Sequence, residues 1–308
     1  MLVIGSRGSQ LALWQANWIG ARLAELGQDT HIEIIRTTGD KITDVPLAKV
    51  GTKGLFTKEI EEALLDGCID LAVHSLKDLQ TAQPEGLIVG AVCEREVPND
   101  VLISKSGRSL NDLPQGAKVA TGSLRRGSQL LHYRPDIEIS DIRGNVPTRL
   151  QKFNESELDG LILAYAGLIR LGFESRISEV IPFSIMLPAV GQGSVAIETR
   201  KDDRPTLDIV ERLDHEPTRV CVTAERAFLR TLEGGCQVPI GAHASLEGDE
   251  FALEGLVGSL DGSTIFREKI LGEVQEADEL GVRLASNLIE KGAGRLLEEI
   301  RVQTTVAA

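Results

Sequence analysis

Aromatic residues, cysteine and long apolar runs are all scarce in this 308-residue sequence. Phe, Trp and Tyr make up 4% of the chain, a poor supply for the stacking platforms that hold single-stranded nucleic acid. Charge argues the same way. With 46 acidic and 33 basic residues the net charge is −13, unfavourable for a phosphate backbone or an anionic lipid surface. The longest apolar stretch, Gly160 to Ile169, is about half of what spans a bilayer, and the N-terminus has neither the basic flank nor the small-residue cleavage site of a signal peptide. A cytoplasmic protein without a nucleic-acid or membrane partner is expected. Four cysteines, Cys68, Cys93, Cys221 and Cys236, lie 25, 128 and 15 residues apart, with no C-x-x-C and no histidine at ligand spacing. Neither a disulfide framework nor a metal site is expected. No P-loop or dinucleotide fingerprint follows a strand either, although Gly51-Thr52-Lys53-Gly54 is basic and flexible.

What is present describes an ordinary folded chain, 42% hydrophobic and 26% charged, long enough for two or three domains. Apolar Leu2 to Ile4 reads as a strand. Ala12, Ala16, Ile19, Leu23 and Leu26 then recur at helical spacing behind Ser9, a good N-cap. Strands at Ile32 to Arg36, Ile69 to Val73 and Leu87 to Val92, with a helix from about Leu55 to Leu65, continue an alternation that predicts parallel α/β units. Ile35 to Leu55 reads as a long irregular insertion. A second copy begins near Asn99, with a strand at Lys118 to Thr121 and a helix after it. The string Arg-Gly-Ser-Gln-Leu occurs at 7 to 11 and again at 126 to 130, each time near a predicted strand-to-helix junction. After a strand at Val195 to Glu198 come helices near Thr206 to Leu213 and Thr218 to Leu232. Three strand-like runs and two helices then end the chain. The expected architecture is α/β: two periplasmic-binding-protein-like α/β lobes around a cleft plus a C-terminal α+β domain. The expected boundaries are 1–96 with 194–215, then 97–193, then 216–308.

Between Ala117 and Lys152 seven basic residues stand against three acidic ones, a local excess of +4 in an acidic chain. Several lie at predicted loop-to-helix junctions, where free N–H groups and the helix dipole favour anions, and Arg suits a carboxylate or phosphate held bidentately. A solvated basic face fits the same counting. His74-Ser75-Leu76-Lys77-Asp78 falls at the carboxyl end of the Ile69 to Val73 strand, the usual ligand-facing edge of a parallel sheet. There Asp78 serves equally as an acid/base or cation-stabilising group and as a plain helix-start carboxylate. Adjacent His and Ser cannot form a nucleophile–base pair, and no G-x-S-x-G elbow exists, which disfavours a serine hydrolase. Cys236 sits on a glycine-flanked loop, whereas Cys68, Cys93 and Cys221 lie in apolar segments as packing residues do.

Taken together these pieces resemble the porphobilinogen deaminase (hydroxymethylbilane synthase) family over nearly the whole chain. The most specific element is Glu225-Arg226, followed after nine residues by Cys236 in Gly-Gly-Cys-x-Val-Pro-x-Gly. Supporting it are Ser6-Arg7-x-Ser9-x-Leu11-Ala12, Lys49-x-x-x-Lys53-Gly54-Leu55-Phe56, the His74 to Asp78 string, Ser123-Leu124-Arg125-Arg126, Arg143-Gly144-Asn145 and Leu187-Pro188-Ala189-Val190-Gly191-Gln192-Gly193.

The resemblance implies a transferase of tetrapyrrole (haem and porphyrin) biosynthesis, a monomer, that joins porphobilinogen units head to tail with loss of ammonia. They are added to a covalent dipyrromethane primer, attached by a thioether to Cys236, and the finished hydroxymethylbilane is hydrolysed off. It makes Asp78 the catalytic carboxylate. It assigns Lys77, Ser75, Thr121, Ser123, Arg125, Arg126, Arg143 and Arg149 to the cofactor, and Arg7, Ser9, Gln15, Lys49, Arg143, Arg149, Arg170 and Gln192 to substrate. Gln80 and Gly122 depart from the family pattern, which usually has proline and a hydroxyl residue there. A solute-binding protein and a transferase for a phosphorylated substrate remain alternatives. The first needs no modified cysteine, and the second would be inhibited by phosphate.

Overall fold

The computed structural model of the chain describes residues 1–41, 54–233, 238–247 and 250–306. Among these, one compact unit comprises 1–41, 54–96 and 191–219, and a second comprises 97–190 and the described residues from 220 onward.

The first unit opens with β1 (Leu2–Ser6) and α1 (Gln10–Glu25). Ser9 starts the helix, its Oγ accepting from the Ala12 amide at 3.2 Å. Ala12, Ala16, Ile19 and Leu23 bury one face at the spacing the sequence predicts. There follow β2 (Thr30–Ile34), the short α2 (Thr38–Lys41), α3 (Lys58–Leu65), β3 (Leu71–Ser75) and β4 (Leu87–Val92). Four of the five β3 residues, Leu71 to His74, are buried, as in a strand covered on both faces.

In the second unit β5 (Asp100–Ser104), β6 (Lys118–Ala120), α4 (Leu124–Tyr133), β7 (Glu138–Ser140), α5 (Val146–Glu155), β8 (Gly160–Ala164), α6 (Tyr165–Arg170) and β9 (Glu179–Val180) build a sheet of order β7-β6-β8-β5-β9. The chain then returns to the first unit as β10 (Val195–Arg200), completing the order β2-β1-β3-β10-β4. The two sheets share one plan, in which the fourth strand runs antiparallel to both neighbours. The expected parallel α/β units are thus present with one antiparallel strand set into each sheet. Neither β5 nor β10 is reached by a βαβ crossover from the strand beside it, so neither is bound to the parallel direction.

The duplication is real in topology, but the repeated pentapeptide does not align in structure. Ser9 caps α1 from outside, whereas Ser128 lies buried inside α4, whose cap is Ser123.

After α7 (Arg204–Val210) and α8 (Glu216–Thr231), the strands β11 (Ile240–Glu247), β12 (Glu250–Gly258) and β13 (Ile265–Gly272) form an antiparallel meander. With α9 (Ala277–Leu288) and α10 (Gly294–Val306) it encloses a core around Phe228, Phe251, Leu253, Leu284 and Leu288. Cys93 and Cys221 are buried as expected, but Cys68 is exposed. It sits in the turn that leaves α3, just past Gly67, before the chain re-enters the sheet.

Candidate active site

A pocket in the first unit gathers residues from three pieces of chain: Arg7, Ser9, Gln15, Phe56, His74, Ser75 and Asp78 are among its lining. It lies at the carboxyl ends of β1 and β3, where the strand-to-helix turns leave backbone and short polar side chains exposed. The Arg7 guanidinium stands over the Phe56 ring, 4.2 Å from its centroid, a cation–π contact that holds the charge beside the pocket. Gln15 is buried on α1 and donates from Nε2 to Ser75 Oγ at 2.9 Å, which joins the helix to the end of β3. Past Ser75 the chain makes a single 3-10 turn, Leu76–Asp78. Leu76 points into the core, while Asp78 is exposed on the turn. The carboxylate forms no hydrogen bond with the described residues, so its charge is available to a ligand.

Lys77 donates to Gln192 Oε1 at 3.2 Å, and Arg95 Nε donates to the Gln192 carbonyl at 2.8 Å. Gln192 is buried between Gly191 and Gly193, both at positive φ. A Cβ at Gly193 would stand 2.3 Å from the Glu96 carbonyl oxygen, so only glycine lets this turn close and present Gln192 to Lys77.

The second unit carries the other basic residues of the sequence reading. Thr121 is buried and its Oγ1 accepts from the Ser123 amide at 3.2 Å, while Ser123 caps α4. Arg143 leans on Asp141 at 3.2 Å, and Arg149 Nε donates to the Gly144 carbonyl at 2.7 Å. Asn145 caps α5 through the Thr148 amide. Arg170 ends α6, half-buried. A Cβ at Gly122 would lie 3.0 Å from the Ile142 carbonyl oxygen, tighter than a hydroxyl-bearing residue would find comfortable.

Arg125 and Arg126, which the resemblance assigns to the cofactor, are engaged within the protein. Both are buried, and Asp100 lies between them. Arg125 Nη1 reaches Asp100 Oδ2 at 2.7 Å and the Leu187 carbonyl at 2.6 Å. Arg126 gives Nε and Nη2 to Asp100 Oδ1 at 3.0 and 2.8 Å. Burial alone would raise the Asp100 carboxyl, but the two guanidinium groups overcome it and hold the group well below the usual carboxylate range. The sequence reading missed Asp100. Its signal was a charged residue opening the apolar run Val101-Leu102-Ile103, where burial demands a partner. Equally missed was Glu198, fully buried in β10 with its carboxylate 3.3 Å from His74 Nε2.

Lys49 and Cys236 lie outside the described residues. The frame of the Cys236 motif is described on both sides. Glu225 is fully buried on α8 and accepts from the Ala244 amide of β11 at 2.9 Å. Ala242 donates to the Pro188 carbonyl at 3.1 Å. At Gly241 a Cβ would approach the Leu187 carbonyl oxygen to 3.0 Å, which accounts for the glycine closing that motif. The Leu187-Pro188 segment and the motif's exit strand are thus bonded to each other.

A doubled α/β scaffold with a carboxylate exposed just past one strand end, guanidinium groups at helix starts and an added α+β domain is the frame that the comparisons with known proteins identify. Two family descriptions match the chain: "Porphobilinogen deaminase, dipyromethane cofactor binding domain" over residues 2–208 and "Porphobilinogen deaminase, C-terminal domain" over residues 219–290. Porphobilinogen deaminase of Pelotomaculum thermopropionicum is 53% identical over 302 residues, covering 97% of each chain. That of Chlorobium luteolum is 54% identical over 306 residues, covering 97% of this chain and 98% of its own. The chain belongs to the porphobilinogen deaminase family, a family of transferases. Among solved structures, an ABC-transporter periplasmic substrate-binding protein from Coxiella burnetii is similar over 73% of this chain and 97% of its own, with a TM-score of 0.44 and 15% identity. Among the described residues no helix is long and apolar enough to cross a membrane.

Proposed function

We propose that this chain condenses porphobilinogen head to tail, with loss of ammonia, on a dipyrromethane primer joined to Cys236, and releases hydroxymethylbilane by hydrolysis. The observation that carries this reading is the cofactor-domain match over residues 2–208, within which Asp78 stands exposed on the turn that follows β3.

The donor set fits a group rich in carboxylates. Arg143 and Arg149 flank the start of α5, and Thr121 and Ser123 lead into α4, so guanidinium groups, hydroxyls and helix N-termini share one end of that sheet. These residues, with Lys77 and Ser75, would hold the cofactor. When bound it supplies a nucleophilic pyrrole carbon to which substrate units are joined. Arg125 and Arg126 would serve the same carboxylates from guanidinium groups already oriented by Asp100. In the first unit, Arg7, Ser9 and Gln15 would bind and orient the substrate's acetate and propionate, joined by Gln192, Lys49 and Arg170. Asp78 stabilises the cationic fragment left when ammonia departs, because a fixed carboxylate needs no reorganisation as the charge develops.

The same reading holds the three-domain division, with 216–308 as the third domain, because the meander and its helices have their own core. It also makes the protein a cytoplasmic monomer. The exposed thiol of Cys68 suits a reducing compartment, and the exposed large apolar side chains are scattered over separate elements. Intact mass under denaturing conditions, together with porphobilinogen consumption, tests the proposal. One dipyrromethane of added mass and steady consumption are expected; an unmodified chain that gains nothing on incubation with porphobilinogen would overturn it.

A further inference from the structure

We propose that His74, backed by Glu198, is a second proton-handling residue of this site: the base that takes the proton shed by the pyrrole carbon when the new bond forms. The inference rests on the reaction proposed above, but the residues are singled out by the structure alone. His74 is the penultimate residue of β3, behind the buried apolar Leu71, Ala72 and Val73, and it is among the residues that line the same pocket as Asp78 and Arg7. Its Nε2 lies 3.3 Å from Glu198 Oε2 on the neighbouring β10. Glu198 is fully buried, and neither of its oxygens nor His74 Nε2 has a hydrogen-bond partner among the described residues. The contact is within ion-pair range but off the hydrogen-bond direction, as catalytic pairs often are before substrate tightens them. A buried carboxylate left with only an imidazole to face is costly as a purely structural device. Such an arrangement calls for a use.

The other charged groups around the pair are few. Glu61 of α3 interacts electrostatically with both, and burial first, then the Glu198 charge, raise the Glu61 carboxyl above its usual range against a hydrogen bond with Thr57. Asp78 and Arg7 line the same pocket as His74. Thus the residues of one pocket include an exposed carboxylate and a buried histidine with a carboxylate beside it, two groups that can divide charge stabilisation from proton transfer.

The chemistry needs that separation. In each addition the C–N bond of the incoming unit breaks, ammonia leaving with the electron pair. A pyrrole α-carbon bonds to the cationic methylene, and that α-carbon must then lose its proton to restore the aromatic ring. Were Asp78 to take this proton, it would lose the negative charge for which it is placed. His74 takes it on the ring nitrogen remote from Glu198, and the carboxylate stabilises the imidazolium. The proton passes to the departing ammonia, which leaves as ammonium, and the imidazole is neutral again.

The test is His74→Gln and Glu198→Gln in the full-length, primer-loaded enzyme, with porphobilinogen deuterated at its free α-position. Loss of a general base should lower kcat about a hundredfold with little change in KM, and raise the kinetic isotope effect on kcat from near unity to well above it. With primer-free protein the same variants should gain the dipyrromethane mass on Cys236 correspondingly slowly, a readout independent of the loaded enzyme's turnover. Should His74→Gln not fold, the isosteric Glu198→Gln carries the test by the same isotope effect. An isotope effect and a rate of mass gain that stay at wild-type values in the variants would overturn the role of His74. A wild-type protein that never consumes porphobilinogen would instead overturn the reaction itself.

Discussion

Asp100 and Arg126 are joined by two hydrogen bonds to a single oxygen, Oδ1, at 3.0 and 2.8 Å, while Oδ2 is taken by Arg125. One fully buried carboxylate therefore orients both guanidinium groups at the start of α4. Removing one partner from such a group leaves the others charged and uncompensated.

Asp100→Asn should therefore lower stability by about 3 to 5 kcal/mol, read from urea unfolding of the primer-free protein. The pH dependence has a definite sign. Because the folded-state value of Asp100 lies below the ordinary one of about 4, its contribution is present above that pH. It is lost as pH falls from about 4 toward the depressed native value. Wild-type stability should drop across that acid range more steeply than that of Asp100→Asn.

Asp78→Asn should keep the fold and the attached primer yet lose most turnover. The amide preserves size and hydrogen bonding but cannot offset a developing cation, a loss of about 3 to 4 kcal/mol, or roughly a hundredfold or more in rate. The exposed position of Asp78 on its turn means melting should barely change. Steady-state rates beside a thermal melt check both halves, and near-normal product formation would remove Asp78 from the mechanism.

Arg143→Leu breaks only a partly exposed pair with Asp141, so stability should fall by no more than about 1 kcal/mol while primer assembly or elongation suffers strongly. Activity should also decline as salt rises, through Arg143 and Arg149 rather than through the buried Arg125 and Arg126, whose pairing is shielded from counterions. A salt series on Arg143→Leu and Arg149→Leu, each expected to flatten the wild-type dependence, makes the comparison.

Thiol chemistry separates the four cysteines. Cys236→Ala should abolish the excess mass. In the native protein iodoacetamide should label exposed Cys68, while buried Cys93 and Cys221 should react only after unfolding. Labelling of Cys93 before Cys68 would contradict that burial.

Much of this was legible in the linear chain. The Ser9 cap with its buried Ala12, Ala16, Ile19 and Leu23 follows from local hydrogen bonding and a 3.6-residue period, and Leu87 to Val92 was read as a strand at its observed bounds. Cys68 was misread because an apolar-looking neighbourhood does not say on which side of a turn a side chain falls. The pentapeptide repeat misled in the same way, since identical letters occupy different helical positions at 9 and 128.

Sequence by itself determined the local elements, the ordered motifs and, through them, the family, because propensity, capping and motif spacing are properties of neighbouring residues. Only the tertiary structure decided which distant charges meet. Asp100 finds Arg125 and Arg126 about 25 residues away, and His74 finds Glu198 from a strand added after the whole second lobe. The reason is physical: the cost of burying a charge depends on what folds against it, and that partner is set by strand order across the sheet rather than by the residues beside it.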